Sequence, residues 1–278
     1  MNCQKQPLKE LVGRGIGFGV VENAVTEIGE LSGTSFGGFP QEDWHHVCFV
    51  SELKTNYGLL IKIIAHLVRT GCVIHSFYNH PILGGHAGGA DGVALMAITG
   101  EILACVVNMA TTFSMCPTHP FYNCDTAPEL VWAISTAQQA LNRNTNLLTT
   151  VMTSPVSGPL TESLLYECAT QATNATVSGA ARIDGVRSAV GVNLAHCSGL
   201  EARFNAEIAH AATGMTRKDA NEFIKIFQSK YVPLIAKSPI GKPFQDVYDT
   251  VKIKPLPVWQ EMYEKVKEDI KSLGFPLK

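Results

Sequence analysis

The stretch Cys72–Asp91, CVIHSFYNHPILGGHAGGAD, constrains the fold most, because it sets a strand, a glycine loop and a helix entry side by side. Cys72 to Tyr78 is a short apolar, β-branched run that predicts a strand. Four glycines follow in Gly84-Gly85-His86-Ala87-Gly88-Gly89, more backbone freedom than a connecting turn needs. They predict a loop pressed closely against a neighbour. A helix is expected from Ala90 or Asp91. Strand, glycine loop and helix make the unit of an α/β fold, where the loops at strand C-termini carry the chemistry.

The same unit recurs along the chain. Strands are expected at Gly15–Glu22, His46–Ser51, Cys72–Tyr78, Thr111–Met115, Leu147–Met152 and Thr176–Arg182. Helices are expected at Glu52–Thr70, from Asp91 to Val107, from a Thr126/Glu129 capping box to Asn142, and at Leu160–Ala172. Beyond the sixth unit the pattern turns helical. Ser198 with Glu201 and Thr216 with Asp219 open two helices, and Pro233, Pro239 and Pro243 punctuate a linker. Leu256–Leu273 then reads as amphipathic, with Trp259, Met262, Tyr263 and Val266 on one side. About six βα units followed by helices predict most of a (β/α)8 TIM-type barrel, incomplete, over residues 1–190. A helical C-terminal extension over 191–278 would pack on it. The run GRGIGFG, Gly13 to Gly19, mimics a dinucleotide fingerprint, but its glycines fall within the strand itself, which argues against nucleotide binding.

Composition narrows the function classes. With 22 basic and 24 acidic residues among 278, the net charge of −2 supplies no field for a polyanion, so nucleic acid is not an expected partner. The longest apolar stretches, Leu59–Val68 and Ile102–Phe113, fall short of the roughly 18 residues a spanning helix needs. No membrane segment is expected, and the N-terminus has no apolar core for a signal peptide. The eight cysteines form no CxxC, and most lie in apolar segments, which predicts a reducing cytoplasm without disulfides.

Three sets of residues carry a resemblance: PILGGHAGG (Pro81 to Gly89), SGPLTESLLYECATQ (Ser157 to Gln171), and the C-terminal series GLEARFNAEIAHAATGM and IGKPFQDVYD with the closing helix. In order, they resemble the monomethylamine:corrinoid methyltransferases of methylamine-using archaea. The similarity covers nearly all of this chain and roughly the last three-fifths of the family. It implies a (β/α)8 barrel that passes a methyl group from an amine to the cobalt of a separate corrinoid protein, with no tightly bound cofactor of its own. The family's pyrrolysine position falls on or beside Gly19, a residue without a side chain for that work. The family's glutamate before the Pro81 loop is replaced by Tyr78-Asn79, and the glutamine and tyrosine of a later strand by Met152 and Ser154. Glu22 and Glu52 match retained glutamates. The resemblance also implies an N-terminal extension and two barrel strands before the point matching Leu11. Without them an open sheet has bare edges. Either an upstream piece or a partner chain is expected to cover them, the latter as a homo-oligomer or a second subunit.

These residues form the candidate site. Glu22 and Glu52 end strands, where a buried carboxylate either binds an ammonium group or acts as a base, or else caps the next helix. His75, Asn79, His80 and His86 either serve as acid, base or corrinoid contacts, or hold the glycine loop in shape. Glu22, Glu52, Asn79 and His80 are the catalytic candidates, and Gly19, Tyr78, His86, Met152 and Ser154 are expected to line the substrate. Cys116, His119 and Cys124 offer soft ligands for a zinc-assisted alternative, against a plain turn. A further alternative is a catalytically silent scaffold subunit. Arg182, Asp184 and Arg187 are read as a salt-bridged turn after the last strand, with an anion site as the alternative.

Overall fold

A computed structural model describes residues 73–278 without interruption, together with 21–22, 44–46, 53–55, 57–58, 60–61, 64–65 and 71; up to 79 the strand residues are described by backbone alone. The chain divides into two compact units, residues 1–79 with 100–114, and residues 80–99 with 115–278.

In the first unit, β1 (Val21–Glu22), β2 (Trp44–His46) and β3 (Val73–Asn79) are parallel neighbours in chain order. Val21 pairs with Trp44, and Trp44 with Val73. Parallel pairing of successive strands is the signature of βα units. Most of the expected Gly15–Glu22 and His46–Ser51 strands, and much of the Glu52–Thr70 helix, lie outside the described residues.

The chain continues through α1 (Ala90–Val106) and β4 (Thr112–Met115) to α2 (Pro128–Asn144), β5 (Thr149–Thr153), α3 (Glu162–Ser178) and β6 (Arg182–Val186). Strands β5 and β6 are parallel, Val151 opposite Ile183 and Met152 opposite Asp184, with a register shift at Met152/Thr153. The expected strand at Thr176–Arg182 is corrected. Helix α3 runs on to Ser178 and stops at Gly179, whose left-handed φ of 94° lets its N–H close on Ala175 and Thr176 carbonyls. The strand starts only at Arg182.

Helices α4 (Gly199–Ala212), α5 (Arg217–Tyr231), α6 (Phe244–Val247) and α7 (Pro257–Ser272) complete the second unit, with a short β7 (Tyr248–Asp249) and β8 (Lys254–Pro255) hairpin between the last two. The Ser198/Glu201 capping box forms as expected, and the Thr216 hydroxyl accepts from Asp219 N–H. On α7, Trp259, Tyr263, Val266 and Ile270 are buried at helical spacing. They share a core with Phe204, Phe227, Tyr231, Leu164, Leu165 and Cys168. Each such side chain stabilises the fold by roughly 1.5–3 kcal/mol. The helices expected as an extension from residue 191 thus close their core directly on α3, within the same unit. A smaller core of Ala97, Met115, Ile134, Ala137, Leu141, Val151 and Ala175 joins strand and helix residues.

Two local expectations change. Gly84 and Gly88 sit at φ +77° and +68° with open space where a Cβ would be, and Gly84 N–H bonds to Gly88 O at 2.7 Å. The freedom of these two serves the turn itself, while close approaches fall at Gly85 and Gly89, where a Cβ would lie 3.2 Å from Ile82 O and 2.8 Å from Asp91 Oδ1, and most tightly at Gly92, 1.8 Å from Ala87 O. The proline-marked stretch is also more than a linker. Gly158 N–H reaches Pro239 O at 3.1 Å, Lys242 N–H reaches Pro159 O at 2.9 Å, and Ser157 and Ser238 hydroxyls meet at 2.6 Å. A Cβ on Gly158 would lie 1.8 Å from Ile240 O, so glycine is what lets the two segments touch. Among the described residues no helix is long and apolar enough to cross a membrane.

Candidate functional site

In the second unit, residues that directly follow strands converge on a polar cluster. His80 directly follows β3, Cys116 follows β4, Ser154 follows β5 and Arg187 follows β6. Asp125 stands on the loop between β4 and α2.

His80 Nδ1 lies 2.5 Å from the Cys116 carbonyl and 3.2 Å from the Thr118 hydroxyl. A carbonyl only accepts, so Nδ1 carries the proton and donates, leaving Nε2 as the acceptor nitrogen. Burial pulls His80 down to about 4, with Arg187 adding in the same direction, so the ring is neutral at physiological pH. The Cys116 thiol lies 3.4 Å from Ser154 Oγ and 4.0 Å from Asp125 Oδ2. Burial, then the Asp125 charge, pushes it up to about 12, which keeps it protonated and poorly nucleophilic.

Asp125 is fully buried and tied reciprocally to β5: its Oδ1 accepts from Ser154 N–H at 2.9 Å, and its own N–H donates to Ser154 O at 3.2 Å. Burial pushes Asp125 up to about 7, against the pull of the Ser154 N–H and of Arg187. Glu167, on α3, is the brace behind it. Its carboxylate accepts from Val156 N–H at 2.8 Å, Ser157 N–H at 3.0 Å and the Thr126 hydroxyl at 2.5 Å. Burial raises its pKa and these bonds pull it back. The Thr126/Glu129 capping box is therefore corrected: the Thr126 hydroxyl is turned to Glu167, and Ala127 takes the N-cap position without a side-chain cap.

Of the residues expected from sequence, the structure brings His80 and Ser154 into this cluster. Ser154, expected to mark a lost polar group, is itself a polar member. Met152 is half-buried on β5 beside it in sequence, and His86 is exposed in the glycine turn. Glu22 ends β1, and Tyr78 and Asn79 end β3, by backbone placement. Gly19 and Glu52 lie outside the described residues.

The soft-ligand set does not assemble. His119 Nδ1 accepts from Phe121 and Tyr122 N–H at 3.3 and 3.2 Å, and its ring stacks on Tyr122. Among the described residues no three His, Cys, Asp or Glu side chains are placed to hold one ion. Arg182 and Asp184 do pair, at 2.6 Å, but within β6 and without Arg187. Sequence reasoning missed Asp125, Glu167 and the separate course of Arg187. Glu167 left a signal, a lone carboxylate in the apolar run LLYECA. What the cluster offers is an orienting hydroxyl, a neutral imidazole and a carboxyl that holds or releases one proton near neutral pH.

Known proteins share this arrangement of chain. A family model described as monomethylamine methyltransferase MtmB matches residues 3–275. The curated Methanosarcina mazei monomethylamine methyltransferase MtmB is 30% identical over 260 residues, 94% of this chain and 56% of that protein. Methanosarcina barkeri MtmB1 is 29% identical over the same shares. The crystal structure of Methanosarcina barkeri MtmB superposes with a TM-score of 0.89 at 28% identity, covering 95% of this chain and 58% of that one. A crystal structure of a hydroxylamine MtmB complex matches equally well. The chain spans a little over half the length of these relatives. With the match running through the strand-end cluster and the helices that brace it, the chain belongs to the monomethylamine methyltransferase MtmB family.

Proposed function

We propose that this protein is a methyltransferase-like barrel that moves a methyl group from a small methylated amine or related donor to the cobalt of a separate corrinoid protein, without pyrrolysine. The observation that carries this is the convergence of His80, Cys116, Asp125, Ser154 and Arg187 at consecutive strand ends, the end at which α/β barrels work. In such a transfer the N–CH3 bond breaks with its electron pair left on nitrogen, so the donor nitrogen must carry positive charge as it departs. The corrinoid, held by its own protein, supplies the Co(I) pair that forms the new Co–CH3 bond. Glu22, Glu52, Asn79 and His80 are assigned to holding charge and protons at the donor, and Gly19, Tyr78, His86, Met152 and Ser154 to lining its pocket. The family's barrel is read as incomplete here, with a helical extension from 191. An upstream piece, a homo-oligomer or a partner chain would cover its open edges in the cytoplasm. Anaerobic incubation of the protein with a Co(I) corrinoid protein and a panel of methylated amines tests this. Donor-dependent loss of the Co(I) spectrum is expected, and its absence with every donor rejects the proposal.

A second reading is a catalytically silent scaffold subunit, favoured by Met152, an apolar side chain on a site strand, and by glycine at position 19. Mass measurement in solution tests it: a well-folded lone monomer removes the idea that another chain must cover the edges.

A further inference from the structure

Arg187 is held at the strand ends by an unusual piece of backbone. Three residues in succession after it, Ala189, Val190 and Gly191, take left-handed φ values of 50°, 56° and 69°. For alanine and β-branched valine this conformation costs on the order of 1–3 kcal/mol each, and it persists only where the surroundings impose it. Here they do. Ala189 N–H is stapled to Ser157 O at 2.8 Å and Val190 N–H to Pro155 O at 3.0 Å, and Ser188 and Ala189 are fully buried. The turn closes around the arginine stem so tightly that a Cβ on Gly191 would lie 2.7 Å from both Arg187 Cγ and Cδ.

The guanidinium so aimed is under-used. Among the described residues its buried Nε has no hydrogen-bond partner, and Nη2 makes one long contact, 3.4 Å, to the Asn123 carbonyl. A buried unpaired donor calls for an explanation, and this one, unlike the amide nitrogens of Gln138 and Gln171 in the same state, belongs to a cation. Nε and Nη2 share one edge of the guanidinium plane, the edge that grips a carboxylate through two parallel hydrogen bonds. Below about pH 7 the charge beside it leaves room for an anion, since Asp125, pushed up to about 7, then keeps its proton, and His80 is neutral.

We propose that Arg187 binds a carboxylate through its Nε and Nη2 edge, so that the methyl donor of this protein is an N-methylated amino acid rather than a plain methylamine. Naming the ligand a donor rests on the methyl-transfer reading, but its binding does not. The full chain, without corrinoid, is titrated calorimetrically with N-methylglycine and N,N-dimethylglycine, with methylamine and dimethylamine, and with inorganic phosphate. The carboxylated compounds are expected to bind at least tenfold tighter than the amines that lack the carboxylate. Arg187→Met is expected to lose tenfold or more, and Arg187→Lys to retain part of the affinity because it keeps the charge but not the fork. Gly191→Ala, which keeps the arginine and displaces its stem, is expected to weaken binding as well. Circular dichroism melting checks folding, and where Arg187→Met does not fold, the lysine and alanine variants carry the comparison. Equal binding of plain amines, no binding of either carboxylate, or unchanged binding in the variants overturns the proposal. Phosphate binding tighter than either carboxylate also overturns it, and assigns the arginine to an anion on the corrinoid side. Carboxylate binding without cobalt methylation counts against the methyl-transfer reading alone.

Discussion

Helices α3 and α7 meet in one core and solve opposite problems. On α7, burial is confined to Trp259, Tyr263, Val266 and Ile270, one stripe with charged residues on the remaining face. On α3, burial runs from Ser163 through Ala175 without a break and includes Glu167, Thr170, Gln171, Thr173 and Asn174. An edge helix needs only an apolar stripe, and its energy is mostly area removed from water. On a helix enclosed on all sides the energy depends on particular acceptors and donors: Glu167 and Asn174 find theirs, whereas Thr170 Oγ1, Gln171 Nε2 and Thr173 Oγ1 have none among the described residues. The strand-end cluster is braced from the enclosed helix. Its Glu167 fixes the loops after β5 and before α2.

Substitutions sharpen that contrast. The largest loss is expected for Glu167→Ala, which leaves the Thr126 hydroxyl and the Val156 and Ser157 N–H groups without their acceptor, upwards of about 4 kcal/mol. Glu167→Gln is expected to recover only part of it, since an amide offers one oxygen in place of two. On α7, Ile270→Ala should cost about 2–5 kcal/mol, and Ile270→Val only about 0.5–1.5 kcal/mol, because area rather than a particular partner is at stake. Urea unfolding of the four variants checks both. Equal tolerance of the conservative changes would dissolve the contrast.

A smaller effect is expected from pH. The Asp125 carboxyl is raised to about 7 from 3.8, so the folded chain keeps a proton that the unfolded chain releases, and stability falls as pH rises from about 4 to about 7. His80, lowered to about 4 from 6.5, acts oppositely, and stability rises over about pH 4 to 6.5. At about 1.4 kcal/mol per unit, the whole change is bounded at about 4.4 kcal/mol for Asp125 and about 3.4 kcal/mol for His80. The two partly cancel in the native protein. Asp125→Asn is expected to expose the His80 slope alone, read as a melting temperature that climbs with pH through this window. A profile unchanged by Asp125→Asn contradicts the placement of its proton.

Ser198→Ala removes a capping box and the 3.1 Å bond from Trp259 Nε1, an expected loss of about 1–2 kcal/mol by denaturant titration. Smallest of all, Lys265→Met breaks a 2.5 Å pair with Glu162 at a solvent-exposed lysine, and no measurable change in melting is expected.

The cluster was only half legible in the residues themselves. His80 and Ser154 could be placed because each directly follows a strand whose apolar run is plain. Asp125 sits in CPTHPFYNCD, where nothing local says that its carboxylate will meet a backbone N–H 29 residues on. Thr126 looked like a helix cap because Glu129 stands three residues later, yet the buried Glu167 carboxylate, 41 residues away, takes its hydroxyl. Arg187 was grouped with Arg182 and Asp184 by proximity in sequence, whereas the left-handed turn after it sends it toward Asn123 instead. The sixth strand was misplaced because alanine and glycine have little preference, and the helix had packing enough to continue through them.

By itself the amino-acid sequence determined the alternation of strand and helix, the capped starts at Ser198 and Thr216, and the apolar stripe of α7, together with the family these patterns resemble. Those features rest on hydrogen bonds and faces formed among residues a few positions apart. The tertiary structure alone decided that Asp125 pairs with Ser154, that Glu167 spans two loops, and that Arg187 Nε has no partner among the described residues. Each depends on which loops the packed strands bring together, and a buried polar group takes its partner from whatever lies beside it in space.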